Sequence, residues 1–366
     1  MAPAATISTE DEAVRPTHVE VNLGRLAANL AATRAHVRSA KVMTILKANA
    51  YGHGLVPVAR HMVRCGADYL GVAFLEEGIL LRKEGLSIPI LVLGGIAGEQ
   101  LPLFLKYDLT ITAPSLEKLR LIDAAAGSLG LRARVHLKVD TGMERIGIHY
   151  YNASQLLEAS LACRHVDVEG IYSHFANADS ADLSHARVQL ERFHEVLHFY
   201  PKRGLPMPLR HIANSAAILQ LPESHLDMVR PGIMLYGVYP SSECARTVTV
   251  EPALTWKSKV AYFKVVQPGH PVSYGSTWQS DQPVRIVTVP VGYGDGYFRA
   301  LSNHAEVIVR GERHPVVGRV CMDQVMVNIG QGTAYNGDEV ILLGSSNGAT
   351  ITAAEMADWA GTIPYE

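Results

Sequence analysis

Long apolar runs, paired cysteines and a charge imbalance are all missing from this chain of 366 residues. No stretch approaches the length of a transmembrane helix, so no membrane partner is expected. The four cysteines, Cys65, Cys163, Cys244 and Cys321, are scattered without a C-x-x-C pair. That argues against a disulfide framework or a zinc site and fits a reducing compartment; no metal is expected. A formal net charge of −2 gives nucleic acid nothing global to bind. Residues 1–16 are rich in Ala, Thr and Glu and lack an apolar core. They read as a disordered leader, not a secretion signal, and a cytoplasmic protein is the expectation.

What is present is ordinary for a globular enzyme, with 48% hydrophobic and 19% charged residues and a length natural for two domains. From Val42 onwards, β-rich apolar runs alternate with stretches of helical period. The runs are Val42–Leu46, Tyr69–Ala73, Ile90–Leu93, Leu109–Thr112, Val135–Val139, Val168–Ser173, Arg210–Ala213 and Met228–Ile233. Such alternation predicts a (β/α)8 TIM-type barrel over residues 17–246. A doubly wound sheet is the runner-up, weakened because no G-x-G-x-x-G follows the first strand. From residue 247 to 366 the pattern changes to short strand-like runs separated by Gly and Pro turns. Helical period returns only at Ala353–Trp359, so a mostly β second domain is expected.

In a barrel, reactive groups gather just past the C-terminal ends of the strands. The unusual polar residues fall there. Lys47 ends the first run and enters Ala48-Asn49-Ala50-Tyr51-Gly52-His53-Gly54. Lys138 and Asp140 end the fifth, followed by Arg145; His174 ends the sixth; Asn214-Ser215 ends the seventh; Arg230 precedes Pro231-Gly232. A lysine held at a strand end is desolvated, which lowers its pKa towards that of a nucleophile or Schiff-base former. Each residue also has a structural reading. Lys138 could pair with Asp140 or Glu144 in the interior, His174 could be a satisfied core histidine, and Asn214-Ser215 could simply cap a helix. The same cap offers N–H groups and a hydroxyl to a phosphate. The residues alone point to a barrel for a phosphorylated ligand, with Lys47 available for imine chemistry.

Six segments together resemble the alanine racemase family over nearly the whole chain. They are Lys47 to Gly54, Lys138 to Arg145, His211-Ile212-Ala213-Asn214-Ser215, Met228 to Ile233, Ser273-Tyr274-Gly275 and Cys321-Met322-Asp323-Gln324. The resemblance implies a pyridoxal 5'-phosphate (PLP) enzyme that racemises alanine by a two-base mechanism as a homodimer. Lys47 would hold the cofactor and act as one acid/base group. Tyr274, from the partner subunit, would be the other. Tyr51, Asn214, Ser215, Gly232, Ile233 and Tyr365 match cofactor-binding positions, most of them around the phosphate. Arg230 matches the arginine at the pyridine nitrogen, with His174 linking it to Tyr274. Arg145 would bond the cofactor phenolic oxygen and approach the substrate carboxylate, Met322 matches a partner-subunit contact to that carboxylate, and Lys138 matches a lysine that is N-carbamylated in many members. Asp179, Tyr293, Arg299, Arg319 and Ile363 resemble positions along the substrate corridor.

Family members usually continue past the Thr362-Ile363-Pro364-Tyr365 segment into a further strand, whereas this sequence stops at Glu366. Within the resemblance, a serine or broader-specificity racemase shares the framework. A non-catalytic PLP-binding homeostasis protein is a lone barrel, which the segments around Tyr274 and Met322 oppose. A decarboxylase of the same architecture would carry an acid where this sequence has Arg230.

Overall fold

In the computed structural model, which describes residues 14–366, the alternating runs fold into one unit and the turn-rich remainder into another. The leader expected over residues 1–16 lies outside the described range through residue 13. The barrel unit is Leu23–Ala253, and the second comprises Leu254–Glu366 with the residues up to Asn22. This corrects the expected start of the barrel. His18–Val21 (β1) alternates like a barrel strand, but it pairs antiparallel with Leu254–Lys259, Val21 opposite Leu254. The sheet of the second unit thus takes an edge strand from before the barrel.

Eight parallel strands form the barrel. They are β2 (Lys41–Ile45), β3 (Tyr69–Val72), β4 (Ile90–Val92), β5 (Thr110–Ala113), β6 (Ala133–Asp140), β8 (Val166–Tyr172), β9 (Leu209–His211) and β10 (Met228–Val229). The short β7 (Ile148–His149) pairs with the end of β6. The hydrogen-bonded order is β10-β2-β3-β4-β5-β6-β8-β9. The seam between β9 and β10 is bridged by two backbone bonds, Asp227 N–H to the Arg210 carbonyl at 3.2 Å and Arg230 N–H to the Ala213 carbonyl at 3.0 Å. Burial explains the near-continuous apolar runs, since Val42, Met43, Leu70, Ile90 and Ile111 are all fully covered. The helices cover the outside with one face each. Leu23–Val37 buries Leu26, Asn29, Leu30, Thr33 and Val37, and Leu55–Arg64 buries Leu55, Val58, Ala59 and Met62 at helical spacing.

The second unit is two antiparallel sheets. One runs β1-β11-β17-β14-β15 with β18 beside β17, the other β12-β13-β16. Their strands are β11 (Leu254–Lys259), β12 (Tyr262–Val266), β13 (Val284–Val289), β14 (Glu306–Val309), β15 (Glu312–Pro315), β16 (Val325–Asn328), β17 (Glu339–Ser346) and β18 (Ala349–Ile351). Although only two residues separate them, β11 and β12 are two strands in different sheets. The chain changes sheets between them, with Val260 N–H bonded to the Asp338 carbonyl and Ala261 N–H to that of Thr288. Valines on the inner faces, Val287, Val289, Val307, Val325, Val327 and Val340, pack with the fully buried Tyr297 into one core.

Candidate active site

Lys47 leaves β2 into a turn of the wrong hand for L-residues. Ala48, Asn49, Ala50 and Tyr51 have φ of 53°, 55°, 55° and 52°, before Gly52 closes the turn. Each such residue costs about 1–2 kcal/mol, so the surroundings must hold the segment. Leu55 N–H bonds to Asn49 Oδ1 at 2.8 Å, and Ala48 N–H to Glu77 Oε1 at 2.7 Å. The Lys47 side chain is open to solvent, yet partial desolvation and the nearby Arg145 cation together pull its amine below the ordinary lysine range, against Glu77. A group can keep exposed area and still lose hydration when it stands in a concave mouth.

The turn carries Tyr51 back over the ends of β9 and β10. Its ring leans on Tyr236, centroids 4.7 Å apart, and Tyr236 is itself anchored by its hydroxyl to the Ile45 carbonyl at 2.9 Å. Ser215 Oγ accepts from Gly232 N–H at 2.8 Å and Met234 N–H at 3.4 Å. Asn214 caps the helix Ser215–Gln220, its Oδ1 accepting from Ala217 N–H at 3.0 Å. A Cβ at residue 232 would sit 2.5 Å from Tyr51 Oη and 3.8 Å from Ser215 Oγ, so any side chain there would displace the Tyr51 hydroxyl. Ile233 opens the 3-10 turn Ile233–Tyr236, and its N–H has no acceptor within that turn. The hydroxyls of Tyr51 and Ser215 thus converge on Gly232, one residue before the Ile233 N–H. Burial pushes the Tyr51 phenol up to about 12, so it stays a donor at neutral pH. Asn29, which sequence reasoning passed over as one residue of a helix, braces the turn from behind through its Nδ2 to the Leu235 carbonyl at 2.9 Å.

Arg230 is 3% exposed. Its Nη1 donates to His211 Nδ1 at 2.9 Å, and its Nη2 to the Ser173 carbonyl at 2.8 Å, His174 Nδ1 at 3.1 Å and the Ile212 carbonyl at 3.1 Å. Desolvation lowers the guanidinium to about 10, still charged at neutral pH. Burial, then Arg230, keep His174 and His211 neutral. His136 continues the chain from His211 at 2.8 Å. From sequence His136 was not singled out and His211 entered only as the first residue of a matching segment, because a core histidine looks the same whatever its partner. Gln189, also passed over, ties strand ends together. Its Nε2 donates to the His174 carbonyl at 3.1 Å and its Oε1 accepts from Ala176 N–H at 2.9 Å.

Lys138 is 4% exposed, with its Nζ 4.6 Å from the Tyr172 ring centroid. The interior ion pair considered from sequence is absent among the described residues. Glu144 lies against His149 at 2.8 Å. The Asp140 carboxylate accepts from the N–H groups of Gly142, Met143 and Arg145 at 2.8, 2.9 and 3.2 Å. Burial would raise the Asp140 pKa, but these loop donors hold it below the usual value. They also shape the loop that presents the exposed Arg145. Burial, then Arg230, drive the Lys138 amine well below the ordinary lysine range.

The barrel unit therefore brings together Lys47, Tyr51, Lys138, Arg145, His174, Asn214, Ser215, Arg230, Gly232 and Ile233 at the C-terminal ends of its strands. Asp179 belongs to the same unit, in the segment after His174, where its carbonyl accepts from Ser241 Oγ at 2.5 Å. The remaining residues sit in the second unit. Tyr274 is 71% exposed and Met322 62% exposed. Gly292 lets the Tyr293 segment meet that of Met322, since a Cβ there would lie 2.3 Å from the Cys321 carbonyl oxygen. Tyr293 N–H bonds to that same carbonyl at 3.0 Å. Arg319 lies over Gly275, and Ser273 Oγ donates to its carbonyl at 2.6 Å. Arg299 is exposed at the start of the short turn Arg299–Leu301; Ile363 and Tyr365 are exposed near the end of the sequence. Among the described residues no cluster of His, Cys, Asp or Glu could hold a metal ion.

Comparison with known proteins gives consistent matches. Residues 21–240 match the family model described as alanine racemase, N-terminal domain, and residues 253–366 the one described as alanine racemase, C-terminal domain. The chain is 45% identical over 355 residues to the alanine racemase of Carboxydothermus hydrogenoformans, covering 96% of each. Among solved structures it is similar to the alanine racemase of Clostridium difficile, with a TM-score of 0.90, 38% identity, and coverage of 96% of this chain and 92% of that one. It is also similar to the alanine racemase of the D-cycloserine producer Streptomyces lavendulae, with a TM-score of 0.91, 36% identity, and coverage of 96% and 94%.

Proposed function

The chain belongs to the alanine racemase family, and on that premise we propose that it interconverts L-alanine and D-alanine with PLP as cofactor. In the cell the product D-alanine would supply peptidoglycan, and the enzyme would work in the cytoplasm as a homodimer. The observation that carries this is the cradle beside Lys47. A methyl group on residue 232 would collide with Tyr51 Oη, and the groups gathered at that glycine are hydroxyls and a backbone N–H, donors suited to a phosphate. The residues fit the cofactor. Lys47 would hold it through its amine. Tyr51, Ser215, Gly232 and Ile233 would hold its phosphate, with Asn214 fixing the helix start and Tyr365 completing the shell. Arg230 would face its ring nitrogen.

When bound, PLP supplies an electron sink for the pair left as the α-proton departs. Racemisation then needs one group to take a proton from one face of the α-carbon and another to deliver one to the opposite face. Lys47 serves one face, and burial with the nearby Arg145 cation lowers its pKa, which favours the neutral amine that accepts a proton. Tyr274 serves the other from the second copy of the chain. A free tyrosine titrates near ~10, so its phenolate needs support. Arg230 donates to His174 Nδ1, which puts the imidazole proton on Nε2, where it can donate to the phenolate oxygen. Arg230 itself holds its proton tightly and remains a fixed charge.

Arg145 and the Met322 backbone would bind the substrate carboxylate, and Asp179, Tyr293, Arg299, Arg319 and Ile363 would line its approach. Lys138 is the candidate for N-carbamylation. Its neutral amine would attack carbon dioxide, form the N–C bond and release one proton, leaving a carbamate anion opposite Arg145. The exposure of Tyr274, Tyr293 and Met322 on one unit supports their being covered by a second copy. Borohydride reduction of the PLP-loaded protein, followed by peptide mapping, tests the cofactor site. The label should fall on Lys47; a label elsewhere would sink the assignment.

A further inference from the structure

We propose that Glu77 is the positioning residue for Lys47, holding the left-handed turn that follows the lysine and placing a negative charge beside its amine. The inference rests on Lys47 being a proton-transfer group in the reaction proposed above.

Glu77 is the third residue of the helix Leu75–Lys83, which follows β3. From that place its Oε2 accepts from Ala73 N–H at 2.8 Å and Phe74 N–H at 3.1 Å. This is the reach of an acidic side chain back to its own helix start, and taken alone it would be only a cap. Its other oxygen does something a cap does not need. Oε1 accepts from Ala48 N–H at 2.7 Å, on a different strand end and next to Lys47. One carboxylate therefore ties the exits of β2 and β3 together.

That tie falls where the backbone needs it. The later part of the left-handed turn is held locally. Gly52 N–H bonds to the Ala48 carbonyl at 3.1 Å, and Gly54 N–H to that of Asn49 at 2.9 Å. The entry, at Ala48, is anchored from outside the segment by Glu77. Strained backbone persists only when its surroundings over-determine it. Lys47 precedes the turn and Tyr51 is its last left-handed residue, so a relaxation there would move the amine and the phosphate-side hydroxyl together.

Charge adds a second consequence. Of the groups that act on Lys47, Arg145 from the loop after β6 is cationic and lowers its proton affinity. Glu77 acts in the opposite direction. His174, after β8, is kept neutral, with Arg230 and Lys138 beyond it. A glutamine at residue 77 keeps the volume but turns an NH2 group towards one set of backbone donors. It also removes the charge.

The test compares wild-type chain with E77Q. In full-length protein stripped of cofactor, competitive acetylation across pH with peptide mass spectrometry reads the titration of Lys47. In the holoenzyme, alanine racemisation reads kcat and KM, and thermal unfolding monitors the fold. E77Q should lower the Lys47 midpoint and cut kcat by up to about 100-fold, with KM moving less. A lower melting temperature with unchanged Lys47 titration and unchanged kcat would reduce Glu77 to a helix cap and overturn the proposal. If E77Q does not fold, E77D keeps the charge with a shorter reach and should still lose kcat; wild-type kcat in E77D would equally overturn it. A wild-type chain without racemisation, whose Lys47 titration still responds to residue 77, would count against the racemase function alone.

Discussion

The guanidinium of Arg230 and Nδ1 of His211 lie 2.9 Å apart, and because arginine can only donate, this contact puts the proton of His211 on Nε2. That nitrogen is 2.8 Å from His136 Nδ1, so His136 must also carry its proton on Nε2. There it has no hydrogen-bond partner among the described residues and lies 4.0 Å from Glu169 Oε2. A line of neutral imidazoles therefore runs from the barrel mouth into the barrel, oriented throughout by one cation. It keeps Arg230 from shedding its charge to a neighbour.

These imidazoles make stability sensitive to acid. Burial, then Arg230, hold His136 to about 3, and burial lowers His174 and His211 well below their usual value. Below about pH 6.5 the unfolded chain binds protons that the folded chain refuses, so stability falls as pH falls. Each histidine contributes a slope of about 1.4 kcal/mol per pH unit between roughly pH 6 and 5. His136→Asn keeps an acceptor for His211 and removes one titrating ring. Denaturant unfolding at several pH values should show its slope reduced by about that amount; an unchanged slope would mean that His136 titrates normally in the fold.

The cradle makes its own demand on Gly232. A Cβ 2.5 Å from Tyr51 Oη must displace that hydroxyl, which is packed against Tyr236. Gly232→Ala should leave the barrel folded and raise the Kd for PLP by about tenfold or more, a loss of at least ~1.4 kcal/mol. Titration of the cofactor chromophore measures it. Wild-type affinity would place the phosphate elsewhere.

Placing the two bases on different subunits can be tested by complementation. A Lys47→Ala chain and a Tyr274→Phe chain should each be nearly inactive alone. Refolded together, hybrid dimers would contain one site with both groups intact, and racemisation should partly return. No recovery, with mixed dimers verified, would mean that both residues serve a site within one chain.

The barrel was legible because its strands are buried on both faces and spell out mostly apolar runs, as Val42 to Ile45 does, broken only by Thr44. The edge strand β15 was not. Its residues Glu312-Arg313-His314-Pro315 remain partly or fully exposed, so no apolar pattern marks them. His18–Val21 shows the opposite problem, since its alternation marks a strand but not which sheet it joins. Among the site residues, Lys47, Arg230 and Ser215 stood out by their position at strand ends and their motifs. Glu77, Asn29, His136 and Gln189 did not. Their roles depend on partners far along the chain, such as Asn29 on Leu235, and residue type alone does not name those partners. Nor could the sequence reveal that Ala48 to Tyr51 turn left-handed, for three of those four residues are alanine or tyrosine.

The account stands most directly on proton exchange at the α-carbon. PLP-loaded protein incubated with L-alanine in deuterium oxide should yield equal amounts of L- and D-alanine at equilibrium. Deuterium should appear at the α-position, and neither Lys47→Ala nor Tyr274→Phe should support the inversion. Full retention of the L-configuration by protein carrying bound cofactor would contradict the account.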